Sequence, residues 1–515
     1  MVDVSNSGIF VLEGLSGGQE IPVRRETVVA FVGPAPRGPV SIPVLIRSLD
    51  EYCHRFGLPE RNTLMQDQIA QFFQNGGREA IVVRVCQSIR FKQIEVPGPF
   101  GPLMLEAFNP GPLEYLRVAV DIDNIAEGDL GRFNLVIHRL ASPTHPLVEE
   151  QEIFRGVSIN PEDPEFVSDV LLNSRLVRVM GGPPLERPYV NTLDDPYVYS
   201  CGEWDEAETI TDYDLIGSDS NGTGMFALNQ IAALDLLCFV PGTESGDVGP
   251  VAHFAAERYC RQRNAVLLLD PDSEWQSPSE ATLQSADHGF SSANAATYFP
   301  RPAALDGGLR RGSLLGAIAG KLAADDARFG VWGGIGRGQL TIHSRQRVSS
   351  ELRESECAML SRAGINAAKS IRPGYLRLKG LVTTAQQPGI SNLRSSLPMQ
   401  RAALFIVGSI VRGTRWAALQ KNSEKTRDDV CTQVRAFLDA LYEAGALAGT
   451  DAKHAGYVVC DSDINRSYCD RVGQISLVVG FALPDSVMTA FRITHQHADS
   501  TVREFGWHAD VALAS

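Results

Sequence analysis

The chain has 515 residues, more than one hydrophobic core usually supports, so about two to four compact units are expected at roughly 100 to 200 residues each. Hydrophobic residues at 44% and charged residues at 21% exclude global disorder and fibrous repeats. A formal charge of -14, from 47 basic against 61 acidic residues, argues against a direct nucleic-acid partner, because phosphate binding needs clustered Lys and Arg. The longest apolar runs, 402–411 and 475–483, fall short of the roughly 18 residues that would span a bilayer, so no membrane insertion is expected. The opening residues 1–6 lack a basic stretch followed by an apolar one, so no secretory signal is expected and folding is assigned to the cytoplasm. Nine cysteines without a C-x-x-C pair suit reduced, mostly buried thiols better than disulfides or a zinc site.

Ile9, Phe10, Val11 and Leu12 lie between Gly8 and the glycines Gly14, Gly17 and Gly18, which predicts one short strand on a flexible arm. It has no obvious local partner. A compact unit begins near Thr27, where residues 28–32 form a continuous apolar strand and residues 33–39, Gly-Pro-Ala-Pro-Arg-Gly-Pro, a rigid turn. Leu64, Ile69, Phe72 and Phe73 share a helical face closed by Asn75, Gly76 and Gly77, and lead into a strand over 80–85. Between about 90 and 188 the prolines thicken and β-type stretches occur at 116–120 and 133–137, which predicts a mixed or β-rich insertion and a linker.

From about 213 to 374 the signals alternate: strand 235–240, helix 251–263, strand 265–269. Within them, residues 236–240 and 266–269 are apolar throughout, as expected when helices cover both faces of a sheet. Pro241-Gly242 and Asp270-Pro271 punctuate their carboxyl ends, where an open α/β sheet often has its ligand crevice. The final unit carries a helix with Asp428 and Asp429 in its first turn and Val430, Val434, Phe437, Leu438, Leu441 and Tyr442 at helical spacing. Residues 403–410, 457–460 and 475–481 read as strands, so this unit is α/β again. Phe491 and Ile493 alternate with Arg492 and Thr494 as in a half-buried strand, and a loose polar tail is expected from about His495.

Several motifs tempt and fail. Gly217 to Gly224 has the glycine spacing of a P-loop start, but Thr223 stands where the phosphate-binding Lys must be, so a plain glycine loop is expected. Residues 333–338 lack G-x-G-x-x-G spacing and read as a turn. Asp461, Asp463 and Asn465 imitate an EF-hand opening, yet Arg466 replaces the turn glycine and Val472 the bidentate Glu. Asp270 and Asp272 are two carboxylates without a third ligand nearby, better suited to capping their loop. His495 and His497 would share one side of a strand, and a solvated face is expected for them rather than a metal pair. No catalytic residue, metal site or cofactor is assigned.

Taken in order, several stretches resemble those of the contractile phage tail sheath family, over most of the chain. Residues 29–39 resemble its opening strand and turn, followed by Leu49-Asp50-Glu51-Tyr52 with Phe56-Gly57, residues 72–78 and Val82-Val83-Arg84-Val85. Residues 152–158 with 173–177 resemble the approach to its central domain. Pro241-Gly242, Leu269-Asp270-Pro271, Tyr298-Phe299-Pro300, Gly330-Val331-Trp332 and Gly364-Ile365-Asn366 resemble its core, and Gly413-Thr414-Arg415-Trp416, Asn422, residues 445–449 and Cys460-Asp461 its final unit.

The resemblance implies a multidomain α/β (α+β) protein: a mixed-sheet α/β sheath core, a β-rich inserted domain, and extended N- and C-terminal strand arms. Its expected partition is a strand arm 1–25, the N-terminal part of the core 26–90, the inserted surface domain and linker 91–190, a central α/β domain 191–375, a C-terminal α/β domain facing the tail tube 376–486, and a C-terminal strand arm and tail 487–515. It also implies a structural subunit, not an enzyme, of a phage tail or R-type tailocin. That subunit polymerises with itself as stacked six-fold helical rings around an inner tail tube protein, between baseplate and tail terminator proteins. The particle is assembled in the host bacterial cytoplasm and contracts to drive the tube through a target envelope. The arm strand Ile9, Phe10, Val11, Leu12 and the strand carrying Phe491 and Ile493 are the expected inter-subunit strand-exchange elements, unless the arm pairs within its own subunit. The rival reading is a cytoplasmic α/β metal- or nucleotide-dependent enzyme using Asp270, Asp272 and the 217–224 loop.

Overall fold

Side-chain alternation builds the main core. In the strand Val29–Pro34 (β1), Val29 and Phe31 face one side and Ala30 and Val32 the other, and all four are fully buried. The computed structural model describes residues 20–505 apart from 58–62, 145–146, 183, 203–209, 243–245, 304–311, 345–346, 349–350, 387–391, 467–470 and 497–498. After β1 come Val44–Ile46 (β2), the helices Leu49–Phe56 (α1) and Leu64–Gln74 (α2), and Ala80–Val85 (β3). Ser48 and Thr63 cap the two helices by accepting from the main-chain N–H groups of Glu51 and Gln66.

The chain then leaves for a β-rich module. Its strands are Gln93–Val96 (β4), Leu103–Ala107 (β5), Tyr115–Asp121 (β6), Arg132–Leu140 (β7), Val148–Ser158 (β8) and Val177–Val179 (β9). They form a β4-β5-β9 sheet and a β6-β7-β8 sheet, with Val198–Tyr199 along the free side of β6. In β6 the alternate residues Leu116, Val118 and Val120 are buried against Ile94, Leu105, Leu135 and Ile137, the pattern of a sheet wet on one side. The two ends of the module meet: Gln93 N–H donates to Cys201 O at 2.9 Å and Cys201 N–H to Gln93 O at 2.8 Å. Arginines fasten it to the main core. Arg37, 1% exposed, donates to Glu149 at 2.7 Å and, within the core, to His54 O at 2.8 Å, and Arg84 donates to Pro110 O at 2.5 Å and, within the core, to Ala35 O at 2.7 Å.

The chain returns as Leu236–Phe239 (β10), Pro250–Arg263 (α3), Val266–Leu269 (β11), Pro278–Asp287 (α4), Ala295–Phe299 (β12) and Leu315–Phe329 (α5). Gln339–His343 (β13), Glu354–Arg362 (α6), Ile365–Arg372 (β14) and Tyr375–Lys379 (β15) follow. Among the described residues one mixed sheet runs in the order β13-β15-β14-β12-β11-β10-β1-β3-β2, parallel from β14 to β3 and antiparallel at both ends. Residues on either side of the inserted module therefore share one sheet. Helices α1, α2 and α5 cover one face and α3 the other. Helix α5 crosses α2 at backbone distance: a Cβ on Gly316 would lie 2.0 Å from Gln68 O, and one on Gly320 2.2 Å from Phe72 O.

The last unit corrects three expectations. Residues 403–410, expected as a strand, lie inside the helix Leu397–Thr414 (α7), which is buried on nearly every side and so shows no amphipathic period to read. By length and composition the stretch Leu397–Leu419 is long and apolar enough to cross a membrane, but 72% of its most apolar 18-residue window, of mean hydropathy 1.3, is buried inside the protein. The next helix spans Glu424–Glu443 (α8) and is capped by Ser423, so Asp428 and Asp429 fall beyond its first turn. Finally, the chain beyond His495 is not a loose tail up to Phe505. The strands Gly456–Val459 (β16), Gln474–Phe481 (β17), Thr489–Gln496 (β18) and Asp499–Phe505 (β19) make an antiparallel sheet in that order. No disulfide joins any two of the eight described cysteines, and Cys201 alone among them is exposed.

Candidate assembly surface

Phe491 and Ile493 sit on β18, an interior strand. Its main chain pairs with β17 from Thr489 to Gln496 and with β19 from Ala490 to Gln496, both within this chain. The two side chains are buried under the sheet, Phe491 stacking on Phe481 with ring centroids 5.3 Å apart. Ile9, Phe10, Val11 and Leu12 lie outside the described residues. Among the described residues, the sheet's unpaired edges are the outer sides of β16 and β19. β19 is a polar strand, Asp-Ser-Thr-Val-Arg-Glu-Phe, held down by Arg394 Nε donating to Glu504 at 2.7 Å.

Residues 20–28, in no helix or strand, run between the units and touch both. Ile21 is buried in the C-terminal core, where a Cβ on Gly413 would lie 2.5 Å from it. Arg24 Nη2 donates to both carboxylate oxygens of Asp235 at 2.9 Å, and Asp235 also accepts from Val28 N–H at 2.7 Å. Thr27 Oγ1 donates to Asp326 Oδ2 at 2.5 Å, and Asp326 on α5 is ion-paired with Arg401 on α7, both nearly inaccessible to solvent. The base of the N-terminal arm is thus built into the joint between the main sheet and the C-terminal unit. Sequence reasoning missed this joint, although Arg401 within the apolar run 397–414 and Asp326 in an alanine-rich helix were its signals.

His495, expected on a solvated face, is instead fully buried. Its Nε2 lies 2.8 Å from Thr414 Oγ1 and its Nδ1 2.7 Å from Ser500 Oγ, so it ties α7 to the β18–β19 hairpin. Burial, with a smaller contribution from the Arg415 charge, pulls its pKa from 6.5 down to about 4. The unfolded chain therefore binds the extra proton between those values. The stability contributed by the neutral ring is complete above pH 6.5 and is lost as the pH falls towards 4. The unfolding midpoint in urea is expected to drop between pH 7.5 and pH 5, and His495→Gln to remove part of that drop; an unchanged pH profile in the variant would assign the slope elsewhere.

The remaining motifs are structural. Gly217 and Gly224, both at positive φ, approach each other so closely that a Cβ on Gly217 would lie 2.1 Å from Thr223 O. Asp272 Oδ1 accepts from Glu274 N–H at 2.9 Å, the loop-capping role expected of it, while Asp270 faces Arg301 at 3.7 Å. Asn465 is buried and reaches Ser476 O and Asp461 O at 2.8 and 2.9 Å. Among the described residues, no group of three or more His, Cys, Asp or Glu is placed to hold a metal ion.

No protein-family model and no curated protein sequence matches the chain. Solved structures do match. A sheath tail protein of Listeria innocua superposes with a TM-score of 0.58 at 11% identity, covering 94% of each chain. A sheath tail protein of Desulfitobacterium hafniense gives 0.56 at 10% identity, over 92% of this chain and 97% of that one. The helical sheath of the anti-feeding prophage in its contracted state gives 0.52 at 15% identity, over 94% and 96%. The fold is that of the sheath proteins of contractile tails and injection systems.

Proposed function

We propose that the chain is the sheath subunit of a contractile tail or injection particle, polymerising in helical rings around an inner tube and contracting to drive that tube through a target envelope. The observation that carries this reading is the full-length correspondence: main sheet, inserted module and C-terminal unit align together over 94% of both chains. Baseplate, tube and terminator proteins are the further partners it assigns, and the particle is assembled in the bacterial cytoplasm.

A tube of one chain type needs heterologous contacts that do not close along its axis. Main-chain edges supply such contacts, because a strand from one subunit can complete the sheet of the next. In this reading, Ile9, Phe10, Val11 and Leu12 of one copy add to an outer edge of the β16–β19 sheet of another. Phe491 and Ile493 anchor that sheet to its core. The arm is fixed at its base by Ile21, Arg24 and Thr27, so the tie starts from a rigid point.

Negative-stain electron microscopy of the concentrated protein tests the reading, hollow tubes with a helical repeat being the expected result. Deleting residues 1–18 is expected to abolish tubes while leaving the melting transition in place, because the deleted stretch ends before Ile21. A truncated protein that still polymerises normally would sink the strand-exchange mechanism but leave the sheath assignment to the images of the full chain.

A further inference from the structure

Two sulfur atoms meet where helix α8 lies along strand β16 in the C-terminal unit. A Cβ on Gly456 would lie 3.4 Å from Leu438, and Arg435 Nη1 donates to Gly456 O at 2.7 Å. One turn back along the helix stands Cys431, and just past the end of the strand stands Cys460, so the two thiols come within hydrogen-bonding reach across the same joint. Cys460 is 5% exposed and belongs to the C-terminal core, whereas Cys431 packs against that core from the side and is only partly covered.

Their surroundings give the two sulfurs different roles. Cys431 accepts from the side chain and the main-chain N–H of Cys460, which outweighs burial and the charges of Asp428 and Asp461 and draws its pKa from 9.0 down to about 7. Cys460 shifts upward, because its proton serves that hydrogen bond and because it is buried; its Sγ also lies 3.3 Å from Ser476 O. A partly covered thiolate beside a buried, protonated thiol is the arrangement in which one sulfur attacks and the other resolves. Cys238 and Cys260 make the contrast. They too lie near each other, but both are fully buried and burial raises the pKa of both, so neither offers a thiolate to a reagent.

We propose that Cys431 and Cys460 form a thiol–disulfide switch, which a small-molecule disulfide such as oxidised glutathione converts into an intramolecular disulfide stapling α8 to β16. The Cys431 thiolate attacks one sulfur of the reagent, forming a mixed disulfide and releasing one reagent thiolate. That thiolate takes the Cys460 proton. Cys460 then attacks the Cys431 sulfur, the mixed disulfide breaks, and the second half of the reagent leaves as a thiolate. Two protein thiols are oxidised and one reagent disulfide is reduced to two thiols, so the electrons balance without a further oxidant. The inference rests on the thiol pair alone and stands apart from the sheath reading.

The full-length chain is incubated with oxidised glutathione at pH 7.5, quenched with N-ethylmaleimide and digested with trypsin. Mass spectrometry is expected to show residues 428–435 joined to residues 454–466 as the main product, reversed by dithiothreitol. Cys460→Ser keeps a hydroxyl for Ser476 O and is expected to stop at the first step, with glutathione held on Cys431. Cys431→Ser is expected to reduce modification of Cys460 at least tenfold. Closing the loop restricts the unfolded chain, so the oxidised protein should melt about 3 °C or more above the reduced one, a rise absent from Cys431→Ser. Glutathione remaining on Cys431 in the unaltered chain, reaction at the exposed Cys201 without the 431–460 link, or a link that leaves melting unchanged would each overturn the proposal.

Discussion

Arg401→Ala is expected to cost about 3–5 kcal/mol of stability, the range for removing one partner of a buried ion pair. The magnitude follows from what is left behind. Asp326 stays in the joint between α5 and α7, 3% exposed, with the Thr27 hydroxyl as its main remaining side-chain partner. The loss is one of desolvation without compensation, so the pair itself is not the source of net stability. Replacing both partners, Arg401→Met with Asp326→Leu, is accordingly expected to recover most of the loss. Urea midpoints of the two single variants and the double variant measure the coupling. A loss below about 1 kcal/mol in Arg401→Ala would mean that water reaches Asp326 and the joint opens readily.

Gly316→Ala and Gly320→Ala are each expected to destabilise the main sheet's helical layer by about 1–3 kcal/mol, and by more in combination. The obstacle is backbone, not a side chain that can rotate away. The added methyl groups would meet the carbonyl oxygens of Gln68 and Phe72, so α5 must lift off α2. Gly316 N–H also donates to the Gln68 side chain at 2.5 Å, a bond that lifting would stretch. Thermal unfolding of the single and double variants is the check. Gly336→Ala is the control, because its Cβ meets nothing within 4 Å and it bears only the strain of a φ of 78°.

What could be read from the sequence follows from how local each signal is. The strands β1, β10 and β11 were legible because burial on both faces leaves short apolar runs between turn residues, and β3 because Arg84 alone interrupts such a run. Helix α2 was legible from its one-sided stripe and the Asn-Gly-Gly that closes it. Helix α7 was not, for the reason that made those strands easy. Buried all round, it lacks a period, and its apolar run matches a strand until the length of the whole element, from Leu397 to Thr414, is counted. The hairpin that ends in β19 was missed because an edge strand facing water on one side reads as a polar tail. The joint at Thr27, Asp326 and Arg401 could not be found locally, since its members lie 75 and 299 residues apart. A cavity does lie at the carboxyl ends of these strands, lined by Asp270 and Pro271, but Thr297 reaches it from the next strand and carries no sequence mark.

The main-chain pair between Gln93 and Cys201 places the doorway into the β-rich module and the doorway out of it side by side. Everything between them can be exchanged without altering the span that the rest of the chain must bridge. The main sheet would close as before, because β3 and β10 reach it from outside that gap. The module is thus a cassette on two adjacent stems: a different domain grafted there need only match their spacing and supply a carboxylate for the buried Arg37, as Glu149 does.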